Sequence, residues 1–309
     1  MNRPAPAWRA GRLARIGSGA HGPEHVHAVG LAAVLVSVLM LSCGSTLVKE
    51  AGEPGPIVAF WRLAFATVVW QAFLFARGSP LDRHAWRLAA PGGVLFGLDL
   101  VLFFSAVRAT RVANAEFIGT LTPVLVVPVA ALALGERVRL RTIALGAVAL
   151  SGVAVILFNA PSDGTDSNLR GNLLAVAAVI TWASFFLVAK RARATIDTAR
   201  FMAGMTTVAA VVVLPFAVGT GGMFSLSAKA WVLCAVLALV TGTIAHGLLV
   251  WAQGHVPVST SSMLTLAQPG FAVMWAWLVL EESVRLIQMA GMAMVLAALA
   301  VITLSAARS

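Results

Sequence analysis

Apolar runs of about 20 residues recur along this chain, and each is long enough to cross a bilayer as one helix. They lie near 29–48, 57–76, 88–107, 112–134, 140–158, 171–189, 199–219, 230–252, 258–280 and 286–305. At ~1.5 Å per residue such a run covers the ~30 Å hydrocarbon core. Lipid offers no partner to a bare backbone, so every N–H and C=O must be bonded within the protein. The alternating period of a membrane barrel is absent, which leaves helices. Composition agrees: 60% of residues are hydrophobic and 11% charged, against about 25% charged in a soluble domain. The expected fold is an all-α integral membrane protein with ten transmembrane helices.

Two of the runs are copies of one another. VANAEFIGTLTPVLVVPVAALALGERVRL (Val112 to Leu140) lies over VSTSSMLTLAQPGFAVMWAWLVLEESVRL (Val258 to Leu286) at one offset, without a gap. Pro123 then aligns with Pro269, Glu136 with Glu282, and Arg139–Leu140 with Arg285–Leu286. Apolar matches between such segments are cheap, but a proline, a glutamate and an arginine in shared register point to duplication. Internal symmetry of this kind marks membrane transporters. The loop 159–170, rich in Gly, Pro, Ser, Asn and Asp, divides five spans from five. Five is odd, so the second copy enters from the opposite face and the repeats are inverted. The chain divides into a basic tail (1–28), a first five-helix repeat (29–158), a linker loop (159–170), a second repeat (171–305) and a short C-terminus (306–309).

The formal net charge is +10, but the basic residues sit in short loops and not on one face, so nucleic acid is not the partner expected. With the N-terminus inside, most of the 22 Lys and Arg residues fall in cytoplasmic loops and tails. The positive-inside rule therefore places both termini in the cytoplasm, and the expected location is the cytoplasmic (inner) membrane. The tail carries no apolar core of a cleaved signal, and is expected to be disordered. Its His21, His25 and His27 have no partner ligands nearby, and no metal set is read from them. Cys43 and Cys234 both fall in apolar runs and are read as packing residues.

The order of spans resembles the EamA family of the drug/metabolite transporter superfamily. The similarity covers about 29–305. GSTLVK (44–49) is similar to the family's small-residue first helix, and AFWRLAFA (59–66) to its second, with an arginine after an aromatic. GLDLVLFFSAVRATRVANAEFIGTLTPV (97–124) resembles the third and fourth helices, and LGERV (134–138) the exit of the fourth. TWASFFLVAK (181–190) and LTLAQPGFAVMWAWLVLEESV (264–284) resemble the sixth and ninth. The resemblance implies ten helices in two inverted repeats around a central cavity, and transport of small metabolites, often export of amino acids or their relatives. Glu116 stands where the family usually has a small or hydroxyl residue. Trp182 has no tryptophan counterpart in the first half, where Cys43 takes its place.

Three charged groups lie inside the spans: Arg62, Asp99 and Glu116. Counted from the span ends at ~1.5 Å per residue, all three sit roughly 6–12 Å below the outer interface. Burying one alone costs at least ~2.5–3.5 kcal/mol at a helix centre, so they should face the interior and find each other. An Arg62–Asp99 ion pair either only holds helices together or lines the substrate path. Either way Glu116 is left without an obvious partner, and a carboxylate buried alone can exchange a proton at useful pH or grip an ammonium. Pro123 and Pro269 remove backbone donors in mid-span and are candidate hinges. Asn114, Thr120, Thr122, Ser261, Ser262, Thr265 and Gln268 give these two segments hydrogen-bonding capacity. Phe103 and Trp182 are candidate cavity walls, Trp182 being too deep for an interfacial belt. His246 is either a satisfied interior histidine or a proton relay. Gly93 and Gly97 form a G-x-x-x-G that allows close helix contact.

A secondary transporter with a small-molecule substrate, working as a monomer or homodimer in the lipid bilayer, is the function these features favour. Within the same superfamily a drug or other metabolite permease is the alternative. No G-x-x-x-x-G-K-[ST] loop appears, so ATP is not the driver, and no cofactor is called for. An intramembrane enzyme is disfavoured because no H-E-x-x-H or other metal cluster is present, and Asp99 with Glu116 makes a poor aspartyl dyad beside Arg62. A channel would lack saturable, stereoselective uptake.

Overall fold

The computed structural model describes residues 23–110, 112–136, 138–158, 169–280 and 286–307. Every regular element among these residues is a helix. In chain order they are α1 (Pro23–Leu41), α2 (Gly44–Ala51), α3 (Gly55–Ala76), α4 (Arg83–Ala109), α5 (Val112–Gly119), α6 (Thr122–Leu134) and α7 (Leu140–Phe158). There follow α8 (Leu169–Arg193), α9 (Thr198–Gly219), α10 (Ala228–Val236), α11 (His246–Gln253), α12 (Val258–Leu264), α13 (Gln268–Leu280) and α14 (Leu286–Ala307). A π-helical stretch, Leu237–Ala245, joins α10 to α11, and a 3-10 turn, Thr265–Ala267, joins α12 to α13.

Six helical stretches among the described residues are long and apolar enough to cross a membrane: Val26–Ala51, Gly55–Ala76, Arg83–Ala109, Leu169–Arg193, Thr198–Gly219 and Ala228–Gln253. Of the other expected spans, two are broken into shorter helices. The last two are apolar over Leu140–Val155 and Met289–Ile302.

Local chemistry sets where helices start and stop. Asp82 Oδ1 accepts from Ala85 N at 2.6 Å, Asp197 Oδ1 from Arg200 N at 3.1 Å, and Ser227 Oγ from Ala230 N at 3.1 Å. These side chains satisfy amide donors that the first turns of α4, α9 and α10 leave free. α6 ends at Gly135, whose φ of +66° is the left-handed cap that glycine adopts without strain.

The prolines act differently from the expected mid-helix kinks. Pro123 is the second residue of α6 and Pro269 the second of α13. Each opens a new helix, where its missing N–H breaks no intrahelical bond. The span is interrupted just before each proline, at Thr120–Leu121 and at Thr265–Ala267.

α4 lies at the centre, packed along α8 and α9. Its Gly93 and Gly97 make that approach possible. A Cβ at Gly93 would sit 2.6 Å from Val208 Cβ, and one at Gly97 2.9 Å from the Ala209 carbonyl oxygen. α3 runs along α9, and α7 along α14. Phe96, Phe185, Phe186 and Phe201 are fully buried in the resulting core. The outer faces are apolar too, with Phe75 at 89% and Leu132 at 88% exposure. A bilayer covers such faces, whereas water would not tolerate so many of them.

One contact ties the two halves together at a helix start. Glu136, just past α6, accepts from Val258 N at 2.8 Å through Oε1. Its Oε2 accepts from Ser259 N at 3.0 Å and Ser259 Oγ at 2.7 Å. Lys190, in the last turn of α8, donates to the Val256 carbonyl at 2.8 Å in the preceding loop. The α11–α12 connection is thus held at its carbonyls by a cation and at its amides by an anion, the sense that helix dipoles favour.

Candidate functional site

The chain breaks converge on one cavity. Gly44 and Ser45, at the start of α2, line it, as do Gly119, Thr120 and Thr122 at the α5–α6 break. Thr241 comes from the π-helical stretch, and Thr265, Gln268 and Pro269 from the α12–α13 break. Broken helices place polar backbone and side-chain groups at mid-span only where they border protein or water, so an opening is expected here. The cavity volume is about 110 Å³, polar and roomy enough for several waters.

Arg62, Asp99, Phe103, Glu116, Trp182, His246 and Gln268 all border this cavity, as does Pro269. Pro123 is buried beside it without bordering it. The side chain of Asn114 lies outside the described residues. The three charged groups are nearly sequestered, at 3% (Arg62), 9% (Asp99) and 4% (Glu116) exposure.

Their partners differ from the expected ones. Among the described residues no Arg62–Asp99 ion pair forms. Arg62 Nη2 instead lies 3.2 Å from His246 Nδ1. Its guanidinium stands 5.8 Å from the Phe96 ring centroid and 5.6 Å from that of Phe104. Cation–π faces desolvate a guanidinium at lower cost than aliphatic walls do. Arg62 Nε has no partner. Glu116 is less isolated than its sequence context implies. Gln268 Nε2 donates to its Oε2 at 3.4 Å, because α5 and α13 meet at the cavity. The other oxygen, Oε1, has no partner within 3.5 Å, and the Ser45 hydroxyl, itself without a partner at that distance, neighbours the same carboxylate.

His246 joins the polar and aromatic parts of the wall. Its ring lies 4.8 Å from Phe96 and 5.7 Å from Trp182, and Trp182 stacks on Phe185 at 5.2 Å. Nδ1 is in contact with both Arg62 and the Thr241 carbonyl. A bare nitrogen accepts from Arg62, and a protonated one donates to Thr241, so the atom serves one partner at a time. The π-helical stretch produces this choice by placing the carbonyl five residues back within reach.

Sequence reading missed Ser45, Phe104 and Thr241 as individual lining groups. Phe104 was findable, since it follows Phe103 in a span that already carried Asp99. Thr241 was not, because its position depends on the π-helical register.

A bundle of apolar helices around a cavity lined by buried charges is the architecture of a membrane transporter. The chain belongs to the EamA-like transporter family, whose model matches residues 28–158 and again 169–304. It is similar to an uncharacterised transporter of Archaeoglobus fulgidus, 25% identical over 268 residues that cover 87% of this chain and 94% of that protein. The uncharacterised transporter YetK of Bacillus subtilis is 29% identical over 76% of this chain and 74% of its own length. The pseudopaline exporter CntI of Pseudomonas aeruginosa is 33% identical over 110 residues, which cover 35% of this chain and 38% of CntI. A solved crystal structure shares the fold at a TM-score of 0.77 and 21% identity, covering 92% of this chain and 100% of that one.

Proposed function

We propose that this multi-pass membrane protein is a secondary transporter of ten transmembrane helices in two inverted five-helix repeats. It exports amino acids or related small metabolites across the cytoplasmic membrane by alternating access, with both termini in the cytoplasm. It works as a monomer or homodimer, since one chain supplies every residue that lines the cavity. The observation that carries this reading is the partly open cavity at the meeting of the broken helices, bordered by Arg62, Asp99 and Glu116. Two further facts support the repeats. The family model matches the chain twice, once in each half. The packing is also paired: α3 with α9 and α7 with α14 each join corresponding spans, while α4 against α8 corresponds to α11 against α1. A relative named as an exporter over part of its length supports the direction.

In this mechanism Arg62 receives a substrate carboxylate as a planar two-pronged donor. Glu116 holds either a proton or a substrate ammonium, since one buried carboxylate oxygen has no hydrogen-bond partner within 3.5 Å. Exchange of one for the other couples export to proton entry. Trp182 and Phe103 cover the apolar part of the substrate. The test is flux of labelled amino acids in proteoliposomes for the parent protein and Glu116→Gln, from about pH 5 to pH 8, which brackets the neutral region where a functional proton carrier is poised. A parent flux that depends on pH and a variant flux that does not are expected. An unchanged rate and pH profile in Glu116→Gln removes its role.

A further inference from the structure

Resting on the transporter reading above, we infer that the cavity is built for a substrate with one carboxylate and two ammonium groups, such as an α-amino acid whose side chain ends in a second amine. The charged lining is one guanidinium, Arg62, and two carboxylates, Asp99 and Glu116. Arg62 and Asp99 make no direct ion pair among the described residues, although each lies within the field of the other. Each of the three keeps an end without a protein partner. Arg62 uses Nη2 toward His246 and is flanked by Phe96 and Phe104, which leaves the rest of its fork unbonded. Asp99 accepts no hydrogen bond from a protein group among the described residues. Glu116 accepts from Gln268 through Oε2, and its Oε1 has only the Ser45 hydroxyl as a neighbour, beyond 3.5 Å.

A buried charge is tolerated when it is paired and hydrogen-bonded. A guanidinium pairs with a carboxylate, and a carboxylate pairs with an ammonium. A monoamine zwitterion satisfies Arg62 and one carboxylate, and leaves the other to hold a proton. A diamino acid satisfies all three at once. Phe103 and Trp182 supply faces for the methylenes between the amines.

The experiment is equilibrium binding to the purified full-length chain with four probes that differ by one group each. Lysine carries all three groups. Norleucine lacks the side-chain amine, 6-aminohexanoate lacks the α-amine, and cadaverine lacks the carboxylate. Lysine should bind about ten-fold or more tightly than each of the others, the effect of one charge-assisted contact. One of Asp99→Asn and Glu116→Gln should erase the gap between lysine and norleucine, and the other the gap between lysine and 6-aminohexanoate. A purely structural role would weaken all four probes alike. Norleucine binding as tightly as lysine overturns the inference whether or not the variants fold. If norleucine also crosses liposomes, the transporter reading survives that result. If none of the probes binds and no amino acid crosses, both fall.

Discussion

In the first half, the helix that starts at Val112 stops at Gly119 and another begins at Thr122. In the second, the helix from Val258 stops at Leu264, passes through Thr265–Ala267 and restarts at Gln268. Under the alignment of the two segments, Thr122 matches Gln268 and the interruptions coincide. The side chains around them do not. Glu116 borders the cavity, whereas its match Ser262 is fully buried and donates to the Ser259 carbonyl at 2.8 Å. Thr122 turns its hydroxyl back to the Gly119 carbonyl at 2.7 Å, whereas Gln268 reaches across to Glu116. Arg62, Asp99 and Glu116 all come from before the linker. After it, the lining side chains are uncharged residues and a histidine. Two aligned segments thus share their breaks, while one half supplies the charge and the other the amide and imidazole groups.

If charge recognition belongs to the first half, the largest loss should come from Arg62→Met. Methionine keeps much of the volume against Phe96 and Phe104 and removes the guanidinium. Flux in proteoliposomes should fall about 100-fold or more, the scale for truncating one partner of a buried charged contact. The protein should still elute as a single species in detergent. Flux within a few-fold of the parent would mean that the cavity does not rely on its one guanidinium.

Grafting the first half's acid onto the second tests the asymmetry from the other side. Ser262 has 0% exposure and its hydroxyl is already bonded within its own helix. Ser262→Glu would bury a carboxyl with no donor waiting for it. A loss of about 2 kcal/mol or more is expected in thermal or denaturant unfolding in detergent. A stable Ser262→Glu protein would show that either copy could have carried the acid, and that the present arrangement is not imposed by packing.

Much of this was legible before any coordinates. Run length alone called for helices, and the paired prolines marked where both aligned segments depart from regular helix. That Arg62, Asp99 and Glu116 would be buried could be argued from their places inside apolar spans. Their partners could not be. Charge complementarity favoured Arg62 with Asp99, but the guanidinium instead lies among Phe96, Phe104 and His246, a choice set by how α3 meets α4 and α11. The breaks were also hidden in kind. A proline in an apolar run fits a kink as well as a fresh helix start, and only the backbone decides. Glu136 looked like one charge at a span exit, because its contacts lie 122 and 123 residues away in sequence.

That last residue gives the mildest prediction and the finest comparison of the halves. Glu136 presents two acceptor oxygens to the Val258 and Ser259 amides. In Glu136→Gln, one of those oxygens becomes an NH2 donor. Whichever way the amide turns, one backbone N–H then faces a donor and loses its acceptor. The attraction of a negative charge for a helix start is lost as well. Together these should cost about 1 kcal/mol, within the range for helix N-caps, read as a lowered thermal midpoint in detergent. No change would mean that water serves those amides equally well and that α6 and α12 are not tied through this side chain. Glu282 aligns with Glu136 but lies outside the described residues. Measuring Glu282→Gln beside it separates two cases. Equal losses would make the tie a property of the repeat. A loss in Glu136→Gln alone would add it to the differences already seen at Glu116 and Ser262.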